Sequence, residues 1–280
     1  MRLFDRMRRD GFTVATGTDF DGVTMQVERP FPLAYVVADE AAQRYWQDTD
    51  DVVWDLSDYG IIKPPFPFMW IEAELPKRSW IDGGWRPTPF AQSGYMISEG
   101  HGADDQPAIA VTECVYSPHG GPRPVMIGKT WMQSLLPDGR GDWSRGCQVL
   151  VSHALADIYG DDVHNVPAVA LYALSLMNCR NVSVVQDAPT EKRRRAFRKR
   201  HGVPMTTFSR IVLPNQSNAG SGGAGGGGEE TRHHMVRGHF KTYTAEKPLM
   251  GQHVGTYWWS WQVRGDKSKG NVEQTYEVKV

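Results

Sequence analysis

The chain of 280 residues carries 31 lysines and arginines against 32 aspartates and glutamates, a formal charge of −1, with 40% hydrophobic and 11% aromatic residues. That apolar content fills one large core or two small ones without a disulfide or metal staple, and the near-neutral charge excludes a histone-like protein that coats nucleic acid with its whole surface. Three widely spaced cysteines, Cys114, Cys147 and Cys179, with no Cys-x-x-Cys pair, exclude a disulfide framework or zinc ribbon and read as reduced core thiols.

The N-terminal stretch Met1-Arg2-Leu3-Phe4-Asp5-Arg6-Met7-Arg8-Arg9 is basic with no apolar segment behind it, unlike a secretory leader. No run approaches the ~20 apolar residues needed to span a bilayer. The expectation is a cytoplasmic chain with no membrane partner.

In chain order, the first ten residues predict a short amphipathic helix broken at Gly11, followed by a hairpin of strands 12–14 and 23–27 around Asp21-Gly22. Val36, Val37, Ala41 and Tyr45 recur at roughly helical spacing, and Asp39 and Glu40 complement a helix dipole, so a helix is predicted over 34–46. Prolines 64, 65 and 67 exclude helix before an alternating run, 68–75, read as a central strand with Phe68, Trp70 and Glu72 on one face. Turns at 82–84 and 98–103 separate further strands, 95–97, 108–116 and 124–130, which an antiparallel sheet accommodates.

Helices are predicted over 149–159 and 167–177, the second apolar on most faces and therefore buried. A strand at 182–185, a basic helix at 190–200 and a strand at 206–213 follow. Residues 215–230, nearly all Gly, Ser, Ala and Asn, read as a flexible linker. Beyond it strands are predicted at 236–243, 255–263 and 275–280. Three short strands rarely hold a core alone. The fold expected is therefore α+β: an N-terminal domain of residues 1–214 built on a mainly antiparallel sheet with packed helices, and a β-rich module, 231–280, that packs on it and completes it.

The densest polar constellation is Arg232-His233-His234-Met235-Val236-Arg237-Gly238-His239-Phe240-Lys241. On one continuous strand, His233, Met235, Arg237 and His239 share one side, and His234, Val236, Gly238 and Phe240 the other. Histidine exchanges a proton near neutral pH and arginine stabilises an anionic transition state, so such a strand suits metal-independent cleavage of a phosphodiester. His234, Arg237 and His239 are the candidate catalytic residues, with His233 in place of His234 if the register slips by one. The alternative is a solvated polar strand face.

His233, His234, His239 and His253 have no carboxylate or cysteine at ligand spacing to complete a zinc site. Glu72, Glu74 and Glu113 lie on predicted strands, where carboxylates hold Mg²⁺ in some nucleases but more often pair with arginines. No metal and no cofactor are expected. Nor is there a phosphate-binding Gly-rich loop, a dinucleotide fingerprint or a nucleophile elbow.

The basic helix carries Lys192, Arg193, Arg194, Arg195, Arg198, Lys199 and Arg200; Arg193, Arg194, Arg195, Arg198, Lys199 and Arg200, with Lys241, are the candidate nucleic-acid contacts, with Phe197 placed to stack on a base. The alternative is a solvated helix with Ala196 and Phe197 turned inward. In Tyr257-Trp258-Trp259-Ser260-Trp261, alternation sets Tyr257, Trp259 and Trp261 on one face, either a stacking platform or the core of a small sheet.

Three segments resemble a family of uncharacterised proteins encoded by tailed phages and prophages: Pro65-Phe66-Pro67-Phe68-Met69-Trp70-Ile71-Glu72, Leu176-Met177-Asn178-Cys179-Arg180-Asn181-Val182 with its trailing basic stretch, and His234 to His239 with Arg237-Gly238-His239. The resemblance spans most of residues 60–280 and implies a phage or mobile-element origin, not a mechanism. Together these features lead to the expectation of a phage-type accessory protein that engages nucleic acid, RNA in the cleavage reading. The rival is a non-enzymatic protein that binds and modulates a host or competing protein through Trp-rich and basic surface.

Overall fold

The computed structural model describes residues 1–14, 24–25, 32, 34–48, 56–74, 78–81, 84–87, 91–102, 105–116, 125–150, 167–214, 232–236, 238–260, 262–264 and 266–271. The chain begins with α1 (Leu3–Asp10), β1 (Phe12–Val14), β2 (Thr24–Met25), β3 (Ala34–Val37), α2 (Asp39–Asp48) and β4 (Phe68–Glu74). A separate hairpin, β5 (Arg78–Ile81) and β6 (Gly84–Pro87), precedes three long strands: β7 (Gln92–His101), β8 (Pro107–Tyr116) and β9 (Val125–Ser134). Then come β10 (Cys147–Leu150), α3 (Ala168–Met177), β11 (Ser183–Asp187), α4 (Glu191–His201) and β12 (Phe208–Val212). The C-terminal part contains β13 (Arg232–Val236), β14 (His239–Tyr243), β15 (Gly255–Trp259), β16 (Gln262–Arg264) and β17 (Asp266–Asn271).

Ten strands form one sheet in the order β11-β12-β3-β4-β7-β8-β9-β1-β2, with β10 beside β9. Its centre, β4-β7-β8-β9-β10, is antiparallel, whereas β3 runs parallel to β4 and to β12, and β1 parallel to β9. The fold is thus α+β, a large, mostly antiparallel sheet with packed helices. Among the described residues no helix is long and apolar enough to cross a membrane.

Each face of the sheet buries its own helices. On one, Val36, Met69, Ile71, Ile97, Val111 and Trp131 pack against α2 and α3, which contribute Ala41, Tyr45, Leu171, Tyr172 and Leu174. On the other, Leu3, Phe4 and Met7 of α1 pack against Trp70, Cys114 and Phe208. Each large apolar side chain so buried contributes about 1.5–3 kcal/mol. Gly94 lets α1 approach: a Cβ there would overlap the Trp70 ring and stand 2.9 Å from Leu3 Cδ2.

A carboxylate inside the second face locks α1 in place. Glu72, 1% exposed, accepts hydrogen bonds from the Leu3 and Phe4 amides (3.3 and 3.1 Å) and from Trp70 Nε1 (2.9 Å). It thereby satisfies two of the amides a helix start leaves orphaned. Burial nevertheless pushes its carboxyl up to about 7, against the opposing pull of those donors and of Arg2. Asp5, also buried, accepts from Thr206 N (3.0 Å) and Oγ1 (2.7 Å) and ties α1 to the segment leading into β12.

Several elements differ from the sequence expectation. Residues 34–37 form a strand, because Val36 and Val37 sit in the middle of a parallel ladder, and the helix starts only at Asp39. The turn expected at 98–103 is displaced, since β7 continues through Ser98 and Gly100 to His101, paired residue by residue with β8. Val149 belongs to β10 and not to a helix; residues 151–166 lie outside the described residues, as do the linker at 215–230 and the strand expected at 275–280. Asp266–Asn271, which falls between the strands expected at 255–263 and 275–280, is strand β17. Cys114 and Cys179 are buried thiols, but Cys147 is exposed.

Candidate nucleic-acid interface

The basic helix is exposed along its length except at Phe197 and His201, which are half-buried. α4 has seven lysines and arginines against one acid, Glu191, and buries none of its residues. A helix of 11 residues with no packed face lies below the length at which isolated helices become stable. Like charges four residues apart, Arg194 and Arg198 or Arg195 and Lys199, repel and cost a few tenths of a kcal/mol each. Three local devices hold it. Thr190 Oγ1 accepts from Arg193 N, Gly202 closes the helix in the left-handed region at φ 75°, and Glu191 pairs with Arg195 at 2.9 Å.

The flanking strands β11 and β12 pair antiparallel from Ser183↔Val212 to Asp187↔Phe208 and tether both ends of the helix. The Phe197 ring lies 4.5 Å from that of His201, one turn further along the same helix. Of the pair that the alternative reading turns inward, Ala196 is exposed and Phe197 half-buried. The positive surface extends onto α1, where Arg8 Nη1 donates to Pro204 O (3.2 Å) and Arg9 Nη1 lies 3.5 Å from His201 Nδ1. Lost hydration and the charges of Arg200 and Arg9 hold His201 below its ordinary range. Arg193, Arg194, Arg195, Arg198, Lys199 and Arg200 therefore stand together on one projecting element.

The histidine constellation is arranged differently from a single strand. One run expected over 236–243 is two: β13 ends at Val236 and pairs with β16 and β17, whereas β14 starts at His239 and pairs with β15. His233 and His234 thus belong to one sheet and His239 to another, and Arg237 lies outside the described residues. The buried Gly238 separates the two strands. Alternation along one strand consequently does not group these side chains.

The hairpin β14–β15 docks on α3. Trp258, 2% exposed, meets Tyr172 at 5.5 Å and Phe240 at 4.8 Å, and Phe240 meets Tyr172 at 5.7 Å. The Asn181 side chain acts as a neighbouring strand would, accepting from Trp258 N (2.9 Å) and donating to Trp258 O (2.7 Å). Of the aromatic run, Trp258 is therefore the core residue, and Tyr257 and Trp259 lie on the opposite face with His239 and Lys241. Alternation had set Tyr257, Trp259 and Trp261 together on one face, which could have been the core; Trp258, opposite them, enters the core instead, and Trp261 lies outside the described residues.

The strand carboxylates do not converge. Glu72 serves α1 on one face, Glu113 pairs with Lys129 at 3.8 Å on the other, and Glu74 is exposed. Among the described residues no three histidines, cysteines or acids are placed to hold a metal ion. No family model, curated protein or solved structure matches the chain.

Proposed function

We propose that this chain is a phage-type accessory protein that binds nucleic acid through α4. One observation carries the reading: a short helix with seven cations and one acid buries none of its side chains. Nothing in the apolar core requires it, and its own charges oppose it. A polyphosphate backbone supplies the missing counter-charge, and each neutralised phosphate adds affinity that salt removes.

The test is titration of labelled oligonucleotides across a salt series with the full chain and an Arg194→Ala/Arg198→Ala variant. The logarithm of affinity should fall linearly with the logarithm of salt, and the variant should lose about 0.9 of that slope per duplex phosphate contact removed. Binding that ignores both salt and the variant overturns the reading. Metal-independent cleavage, the narrower form with His234, Arg237 and His239 as catalytic residues, is assigned if EDTA-resistant turnover of RNA disappears in His239→Ala.

A second reading is favoured by β11. This edge strand exposes all five residues, with Val184 43% and Val185 47% accessible, and an open strand edge is where another protein adds a strand. Capture of one protein partner in nuclease-treated extract, lost on Val185→Lys, would select it.

A further inference from the structure

The outward face of the β14–β15 hairpin has a composition that its docking on α3 does not explain. Cross-strand register sets His239 opposite Trp259, Lys241 opposite Tyr257 and Tyr243 opposite Gly255, all on the side away from Trp258. Lys241 is exposed, and His239, Tyr243, Tyr257 and Trp259 are half-buried. The rings of Tyr243 and Tyr257 meet edge to face, with centroids 5.9 Å apart, and Lys241 Nζ lies 5.1 Å from the Tyr243 centroid.

A further cation reaches this surface from the end of α3. Arg180 N donates to Thr256 O at 2.8 Å, which fixes the residue along the edge of β15 that does not pair with β14. Its side chain runs over Gly255: a Cβ there would stand 3.0 Å from Arg180 Cγ and 3.1 Å from Nε. The glycine, at φ 123°, leaves room that other residues would fill. Three aromatic rings thus alternate with Arg180, Lys241 and His239 on a two-stranded surface.

We propose that this face is a base-reading platform for single-stranded nucleic acid, separate from the phosphate-reading helix α4. It rests on the reading that the chain binds nucleic acid and names the form bound. Aromatic rings stack on the open face of an unpaired base, which a duplex hides, and interleaved cations hold the backbone that joins successive bases. The positive charge of Lys241 and Arg180 beside the rings fits that ligand better than an apolar protein segment, which offers those two side chains no counter-charge.

The experiment uses the full chain and two labelled strands of about twelve nucleotides, oligouridine and an abasic strand with the same phosphates. Tyr243→Ala/Tyr257→Ala should weaken oligouridine binding roughly five- to a hundredfold, leave the abasic strand unaffected, and regain wild-type affinity in Tyr243→Phe/Tyr257→Phe. Arg194→Ala/Arg198→Ala should weaken both strands alike. If the alanine pair binds oligouridine as the wild type does, the platform is refuted while the α4 reading stands. If only the hairpin variant loses binding, the α4 reading fails and the platform stands; binding of neither strand by the wild type refutes both. Photocross-linking of bromouridine strands to the wild-type chain needs no variant: adducts at Tyr243, Tyr257 or Trp259 are expected, and adducts confined to other segments overturn the proposal.

Discussion

α3 and α4 are helices of 10 and 11 residues that exist for opposite reasons. Eight of the ten residues of α3 are buried, and its N-terminus has no side-chain cap because the sheet, α2 and the β14–β15 hairpin close around the helix, while at its C-terminus Asn178 Nδ2 donates to Leu174 O at 2.9 Å. α4 buries none and depends on Thr190, Gly202 and the paired strands at its ends. The same backbone geometry is held by solvent exclusion in one case and by local hydrogen bonding and tethering in the other. A helix of the first kind positions other elements; one of the second kind leaves most of its side chains exposed.

Tyr172→Ala tests the buried half of that contrast most severely. Tyr172 touches Tyr45 of α2 as well as Phe240 and Trp258 of the hairpin, so its loss should cost about 3–5 kcal/mol in urea unfolding and release the Trp258 environment, visible in fluorescence. A change below ~1 kcal/mol would mean that α3 is not the joint between sheet and hairpin.

α1 lies between the two extremes, apolar on one side and fastened by a buried acid at its start. Because the Glu72 carboxyl is raised from 4.5 to about 7, the folded chain binds that proton more tightly than the unfolded chain. The stability it confers is present below pH 4.5 and lost as pH rises through about 7, by about 3 kcal/mol. Glu72→Gln should flatten unfolding free energy over that window. An unchanged pH slope would show that the carboxylate is ionised throughout, held so by the Leu3, Phe4 and Trp70 donors.

Thr190→Ala is the smallest test. The cap it removes is worth about 1 kcal/mol, and since α4 contributes nothing to the core, the loss should appear as faster amide exchange within residues 191–201 while the global unfolding midpoint stays put. A matching fall in the midpoint would show that α4 is coupled to the sheet after all.

Elements whose local chemistry agrees with their place were legible in the sequence. α1 ends at Gly11, β4 follows its prolines, and α4 has a threonine cap and a glycine stop. Failures cluster where the partner is distant. Ala34-Tyr35-Val36-Val37 has apolar residues on both faces, as a strand within a parallel ladder does, and its overlap with helical spacing hid the boundary at Asp39. His101 ends a strand whose length is set by β8, not by Gly100. The break between β13 and β14 leaves no mark beyond Gly238, and it decides which histidines can share a face.

The basic helix was legible as an interface candidate because charge density is a one-dimensional property. The platform on the hairpin was only half legible: Tyr257 and Trp259 could be paired from alternation, but Lys241 and His239 join them through cross-strand register, and Arg180 arrives through a contact 75 positions away in sequence, at Gly255. No local pattern encodes that approach.

The placement of β11 next to α4 has a consequence for colloidal behaviour. An open edge bearing Val184 and Val185 is a nucleus for sheet-to-sheet stacking between copies, and the like charge of the adjoining helix keeps such edges apart. On the proposed reading, attraction of a polyanion and mutual repulsion of copies would draw on one set of side chains, so a ligand that neutralised α4 would also remove the barrier between edges.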